Sequence, residues 1–427
     1  VHYAHPSWWL ALAVVATVLL PFLRPSRSPR AQKLHFLFLL AACAALGHFY
    51  LNEMRQNTRV LRDWDYKAFW LYGKVAAEGQ DFYLPRNYLQ AAEGLGVSAM
   101  FRYEVLGVGM RYPPPTIFLF LPLGWMSPAA GLVFWYLLQS AALAASVWLL
   151  WKRYLADFGL LGLAATAVLV MLLHPMGWTF HVAQTNALLL LLALLYLKDR
   201  ERWTSGCWIA AGLLVKPLLA ILLLIPVWRR QWRALLAAGL TLAGMAVLTF
   251  LAFGLRPFTS YFSQGPLSRF GLDLYVVPMN QSLFSWVLRL TKADLAAPVS
   301  FFHPVFIVLA AVALGATAWA ILRMRRSDGD WELAVLLALA LLIYPNTLLH
   351  YGALLLIPVF LLWQRRETVP GGGWTAVTVL AAVYALLAAF PAHSFFVFAG
   401  SWLGLVWLGG RRAGREFAAI SAGSGSA

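Results

Sequence analysis

Apolar runs of membrane-spanning length dominate this chain, and two alternating kinds of polar segment separate them. Runs such as 188–197 and 235–253 are apolar on every face, a pattern suited only to helices that face lipid or are buried in a bundle. One span needs about 20 apolar residues. With 61% hydrophobic residues, 12% charged residues and a mean hydropathy of +0.71 over 427 positions, the chain is not a soluble globule.

The net charge of +16 would suit a nucleic-acid binder, but its distribution says otherwise. Of the 33 Lys and Arg, 20 lie in seven short turns at 24–33, 152–153, 198–202, 229–233, 323–326, 365–366 and 411–415. Turns of this kind face the cytoplasm. The second kind of polar segment, rich in aromatics, amides, prolines and histidines, falls between them and therefore gathers on the opposite side. The expected partners are membrane lipids and not nucleic acid. The expected location is the plasma (inner) membrane of a bacterial cell, with the working surface at the periplasmic or extracellular face. Cys43 falls mid-span and Cys207 near a cytoplasmic helix end, so neither a disulfide nor a metal cluster is expected. The first apolar stretch, 8–23, lacks a basic leader and is expected to remain as a span.

Placing every cationic turn inside orders the path. Residues 8–23 cross inward, 34–51 cross outward, and a long external loop follows at 52–112. Pro113, Pro114, Pro115 and Pro122 disfavour a regular helix at the next entry, so a short interfacial piece should precede a span near 130–151. Helices near 159–175 and 184–197 form a hairpin. The stretch 203–228 lies between two cationic turns yet is too short to cross twice, which predicts two half-length helices meeting at Lys216-Pro217. A span at 234–254 leads to a second external loop, 255–299, and 300–322 returns. The expected fold class is an all-α polytopic bundle of about 11–13 transmembrane helices, one unit over 1–417, with amphipathic helices in the first external loop and a disordered polar tail at 418–427.

Few residues in this pattern can do chemistry. The loop 52–112 carries 7 of the 17 acidic residues, including Asp63 and Asp65. Aromatic and apolar residues at helical spacing (Phe69, Trp70, Tyr72, Val75, Ala76) predict an amphipathic helix just after Asp65. Two readings of that aspartate stand: a helix cap, or a base whose carboxylate is stabilised at a helix N-terminus. Lys216 is the sharper signal, because a lysine inside an apolar run is costly unless it snorkels to an interface or meets a polar cavity and a partner. In an outer-leaflet cavity the natural partner is a lipid phosphate. His350 sits at another tip, His174 and His181 flank a third, and Asn280-Gln281-Ser282 form an amide and hydroxyl cluster suited to sugar hydroxyls.

In order, these pieces resemble glycosyltransferase family 87 of the GT-C superfamily, which includes polyprenyl-phosphomannose-dependent mannosyltransferases of mycobacteria. The residues that carry the resemblance are Asp65-Tyr66 with Phe69-Trp70, Gly79 to Tyr83, Tyr112-Pro113-Pro114, Gln184-x-Asn186, and Gly212 to Lys216-Pro217. Asn280-Gln281-Ser282 with Arg289, and Pro345 to His350, complete the set. The chain departs from the pattern in an additional apolar segment before the aspartate and in Tyr344-Pro345-Asn346, which leaves sugar and acceptor open. The resemblance implies an inverting membrane transferase that moves a sugar, mannose foremost, from a polyprenyl-phosphate donor to a hydroxyl of a lipid-linked or glycan acceptor. It implies Asp65 as general base, with Asp63 the alternative, and His350 as a further catalytic group. Lys216, Arg62 and Arg111 would meet the donor phosphate, and Tyr112, Gln184, Asn186, Asn280 and Gln281 the sugar or acceptor. Neither a cofactor nor a metal is expected. The rival readings are an O-antigen ligase-like or other GT-C transferase and a non-enzymatic lipid transporter. The transporter would need a hydrophilic track, which these spans lack apart from Lys216.

Overall fold

The computed structural model describes the chain except residues 1–6, 24–27, 63–64, 94, 99–100, 102–106, 108, 265–272, 293–300, 324–328 and 424–427; at 264, 273–274 and 410–423 only the backbone is described. The described residues form helices, with one isolated β-bridge, Asn280 to Leu348. Among the described residues, six helices are long and apolar enough to cross a membrane: Pro29–Val60, Pro128–Leu172, Trp232–Phe253, Pro304–Arg323, Gly372–Ala389 and Pro391–Gly409. Shorter apolar pieces at Trp8–Leu23, Pro114–Gly124, Thr204–Val215, Pro217–Trp228 and Leu349–Gln364 pack with them, as do the helices Asn186–Asp199 and Gly329–Ile343. The protein is an all-α polytopic membrane protein.

The helix Gly329–Ile343 stands at the centre, buried on every side from Gly329 to Leu342, as its unbroken apolar sequence requires. Its first turn carries Asp330 and Glu332, where acidic groups favour a helix N-terminus. Three of the cationic turns converge there. Arg153 Nε donates to Asp330 at 2.7 Å, Arg200 reaches the same carboxylate at 3.4 Å, and Arg229 Nε donates to Glu332 at 2.8 Å. One end of the bundle is thus sewn together by the turns that the positive-inside rule places in the cytoplasm.

Helix Pro29–Val60 runs parallel to the stretch 159–181. Tyr50 Oη donates to Met171 O at 2.9 Å and Asn57 Nδ2 to His181 O at 2.7 Å. This helix continues through Val60, nine residues into the stretch expected to be loop. Residues 52–60 are polar but hold neither Gly nor Pro and include the good helix formers Glu53, Met54, Arg55, Gln56 and Arg59. At the other extreme, helical backbone runs on to Gly423, through Ala418, Ala419 and Ala422, where composition alone reads as a tail.

The membrane re-entry after residue 112 is broken, as its prolines require: a 3-10 turn Pro114–Thr116, a short helix Ile117–Gly124, and then the long helix from Pro128. The helix Asp65–Ala77 lies across Ile117–Gly124. Gly73 and Gly124 meet backbone to backbone, and a Cβ on Gly124 would come within 2.2 Å of the Gly73 carbonyl. Phe69 stacks on Phe120 at 4.7 Å, Tyr66 Oη donates to Pro128 O at 2.6 Å, and Trp70 Nε1 donates to Met126 O at 3.0 Å. Protein therefore holds this helix on most sides, which fixes Asp65 at its first position.

The stretch 203–228 breaks at Lys216. Pro217 removes an N–H and disfavours helical backbone in the residue before it, and Lys216 is extended (φ −154°, ψ 129°) between the helix Thr204–Val215 and the 3-10 segment Pro217–Leu223. The two arms pack side by side, with Leu219 so close that a Cβ on Gly212 would sit 2.6 Å from it. Lys216 is left at the tip of the hairpin.

Candidate active site

The turn between His181 and Asn186 is shaped by its backbone. Ala183 adopts a left-handed conformation (φ 55°), and its carbonyl accepts from Trp135 Nε1 at 2.8 Å. The Gln184 N–H then donates back to Thr179 O at 2.8 Å. This aims the Gln184 side chain at the Lys216 tip, where its Oε1 accepts from Lys216 Nζ at 2.9 Å and from the Thr185 N–H at 3.1 Å. With both donors on the oxygen, the amide NH2 is the end left to face Asp65, where it stabilises the carboxylate charge. One amide thus joins a carboxylate and an ammonium that lie far apart in sequence.

Lys216 is 3% exposed, and its Nζ also sits 3.8 Å above the Tyr351 ring, a cation–π arrangement that gains strength away from water. Asp65 is half-buried. Burial pushes its pKa above the usual carboxylate range, while the Gln184 hydrogen bond, Lys216 and Arg111 pull it part of the way back. A carboxylate raised in this way is a better base near neutral pH.

His350 is 3% exposed, lies edge-on to Tyr351 at 4.9 Å and is electrostatically coupled to Lys216. Neither of its ring nitrogens has a hydrogen-bond partner among the described residues. Buried polar atoms left unpaired call for an explanation, and a ligand is one that fits beside Lys216. Tyr72, Tyr112 and Tyr351 are coupled to the Asp65 charge as well, so aromatic side chains wall the site. The backbone of Tyr112 is pinned by Tyr83 Oη at 2.6 Å.

Other residues singled out in the sequence have different surroundings. Arg62 donates to Gln56 at 3.0 Å and lies 3.5 Å from Glu53. Asn186 donates to Thr179 Oγ1 at 3.1 Å. Asn280 Nδ2 and Ser282 Oγ both donate to Pro345 O, at 3.0 and 2.7 Å. Gln281 Nε2 donates to Ala392 O at 2.8 Å, and its Oε1 accepts from the Phe395 N–H at 2.9 Å. The Asn280 amide therefore braces the Tyr344–His350 turn, which the Gln281 backbone N–H also holds at Thr347 O, while the Gln281 side chain ties down the turn at 391–395. Asp63 lies outside the described residues.

Sequence reasoning missed a second buried polar cluster. His181 Nδ1 meets Glu53 Oε2 at 2.7 Å, beside Arg62, while Asn57 Nδ2 donates to Tyr136 Oη at 2.7 Å. The available signal was the spacing of Glu53 and Asn57, one helical turn apart. It was hidden by treating residues from 52 onward as loop.

The family model for glycosyltransferase family 87 matches residues 111–349. The chain belongs to glycosyltransferase family 87. The matched region holds Arg111, Tyr112, Gln184, Asn186, Lys216, Asn280 and Gln281, while Asp65 precedes it and His350 follows it directly. Among relatives, the chain is 32% identical over 135 residues to an alpha-(1->3)-arabinofuranosyltransferase of Mycobacterium tuberculosis, a stretch covering 30% of this chain and 31% of that protein. The chain thus spans about a third of the length of that relative. It is 26% identical over 305 residues, 66% of this chain and 69% of the relative, to a polyprenol-phosphate-mannose-dependent alpha-(1-2)-phosphatidylinositol mannoside mannosyltransferase of the same organism. No solved structure matches the chain.

Proposed function

We propose that this family-87 protein is an integral-membrane glycosyltransferase that moves a sugar from a polyprenyl-phosphate donor to a hydroxyl of a lipid-linked or glycan acceptor. The observation that carries the reading is the Asp65–Gln184–Lys216 chain of contacts at a helix tip. It sets a base and a cation side by side, at the end of the bundle away from the arginine cluster on Asp330 and Glu332. By the positive-inside rule that end is the periplasmic or extracellular one.

In this mechanism Asp65 takes the proton of the acceptor hydroxyl as its oxygen forms the new bond to the anomeric carbon. The bond from that carbon to the phosphate oxygen breaks, and its electron pair leaves with the phosphate. A polyprenyl phosphate is an anionic leaving group that needs no general acid, so the demand is for stabilisation of the developing charge. Lys216 supplies a cation there. Arg111 adds positive charge, and the unpartnered nitrogens of His350 add hydrogen bonding. With Asp65 as the one base and no second carboxylate beside it among the described residues, direct displacement inverts the anomeric centre.

Mannose is the proposed sugar, on the strength of the longer match, to the mannosyltransferase; the shorter match makes arabinofuranose the alternative. The test is transfer by purified protein in liposomes offered each polyprenyl-phosphate sugar with a glycolipid extract as acceptor. A product from the mannose donor alone supports the full reading. A product from the arabinofuranose donor alone moves the assignment to that sugar, and none from any polyprenyl-phosphate sugar rejects it.

A further inference from the structure

The segment that begins at Lys216 leads, on its outward side, into an apolar groove that the proposed site does not use. In the 3-10 stretch Pro217–Leu223, residues three apart lie in line. Pro217, Ala220 and Leu223 therefore form a straight row, which stays open and continues through Leu224 and Val227. The row enters a groove of about 410 Å³ walled by Val227 and Trp228 on one side and by Gly315 and Ala318 on the other, with Leu336 of the central helix as its floor. From Lys216 to Trp228 the helical rises sum to about 20 Å. Among the described lining residues the one charged group, Glu332, is tied to Arg229 at 2.8 Å, so what these residues offer a ligand is hydrocarbon.

We propose that this row and groove hold the prenyl chain of the donor, with its phosphate at Lys216, and that they make the protein selective for long-chain donors. The proposal rests on the glycosyl-transfer reading above. A ligand that meets a cation at one end of the row and fills an apolar groove about 20 Å away must be an anion carrying a long hydrocarbon chain. A single chain suits the row, which is one side chain wide and has the small Ala220 at its middle. A two-chain phospholipid fits it poorly. Each buried methylene adds affinity, so a chain that reaches the groove binds more tightly than one that stops short.

Gly315 offers a clean way to test this. A Cβ there would meet nothing within 4 Å, and the same holds for Gly239, an exposed glycine outside the groove. Gly315→Leu should therefore fill the groove with the fold intact, and Gly239→Leu serves as control. The measurement is KM in proteoliposomes for decaprenyl-phosphate mannose and for geranyl-phosphate mannose, whose chain is too short to reach the groove. Gly315→Leu is expected to raise KM for the decaprenyl donor about tenfold, to leave that for the geranyl donor unmoved, and to differ in this from Gly239→Leu. Equal KM values for the decaprenyl donor in Gly315→Leu and wild type would overturn the proposal and give the groove to bulk bilayer lipid. A second readout is independent of catalysis: decaprenyl phosphate with a photoreactive chain end should cross-link near Leu336 and Gly315. Cross-linking confined to other faces of the bundle overturns the proposal. Cross-linking in the groove without transfer from either donor overturns the glycosyl-transfer reading and leaves a prenyl-phosphate site.

Discussion

Lys216 donates to the amide oxygen of Gln184 at 2.9 Å, and that bond decides which way the amide faces. The oxygen is turned to the ammonium, so the NH2 end meets Asp65. Without this link a buried lysine and a carboxylate on separate elements would each need another partner. With it, charge on one is felt by the other, and an anion bound at Lys216, as proposed, would raise the basicity of Asp65.

Gln184 is therefore expected to set the pH dependence of transfer. Its hydrogen bond lowers the Asp65 pKa, so Gln184→Leu raises that pKa. Asp65 acts as a base only when ionised, and the acid limb of kcat/KM must then move to higher pH, with the largest losses on the acidic side. Gln184→Glu should move it further, because two facing carboxylates resist joint ionisation. An acid limb that stays in place in both variants would confine Gln184 to contact with the sugar or acceptor.

Lys216→Gln keeps a hydrogen-bonding side chain at the hairpin tip and removes the charge. Hydrogen bonds to charged groups contribute about 1.5–3 kcal/mol, so donor KM or kcat/KM should worsen by roughly tenfold to a hundredfold. The thermal midpoint in detergent should change little, since an uncharged residue suits the apolar surroundings. A folded variant with wild-type donor kinetics would show that Lys216 serves the fold alone.

The opposite end of the bundle should answer to stability. Glu332 is 3% exposed and pairs with Arg229. Glu332→Gln leaves that arginine only the exposed Glu201, 3.6 Å away, to offset its charge, and breaking a buried pair of this kind costs about 3 kcal/mol. Thermal unfolding in detergent should register the loss, while the per-molecule rate at low temperature stays near wild type. A variant of unchanged stability would mean that the arginine cluster is solvated and contributes little.

Sidedness is testable through exposed positions. Glu78 and Phe262 are exposed in the two loops expected outside, and Glu201 and Arg230 are exposed in the cationic turns. In a background lacking Cys43 and Cys207, cysteines at the first pair should react with a membrane-impermeant thiol reagent in intact cells. Cysteines at the second pair should react only after permeabilisation. The reverse pattern would place the Asp65 site in the cytoplasm.

The break at Lys216 was legible because a lysine in an apolar run, followed by proline, has few ways to be satisfied. The Asp65 helix was legible from aromatic spacing. The contact between Gln184 and Lys216 was not, since it depends on a left-handed Ala183 and on two helix tips meeting in space. Asn280 and Gln281 read as sugar-binding amides because composition cannot tell a side chain aimed at ligand from one bonded to the Pro345 turn or the Phe395 backbone. The Glu53–His181 pair escaped notice because polar residues at the end of a long helix look like loop when only hydropathy marks its boundary.

The central claim is that Asp65 is the base of a site that transfers sugar from a polyprenyl phosphate. It is tested most directly by Asp65→Asn in proteoliposomes supplied with saturating donor and acceptor. The substitution keeps size and hydrogen bonding and removes basicity. The account predicts a fall in transfer of at least about 10²-fold, with the protein folded and still binding donor. Transfer by Asp65→Asn at the wild-type rate would contradict it.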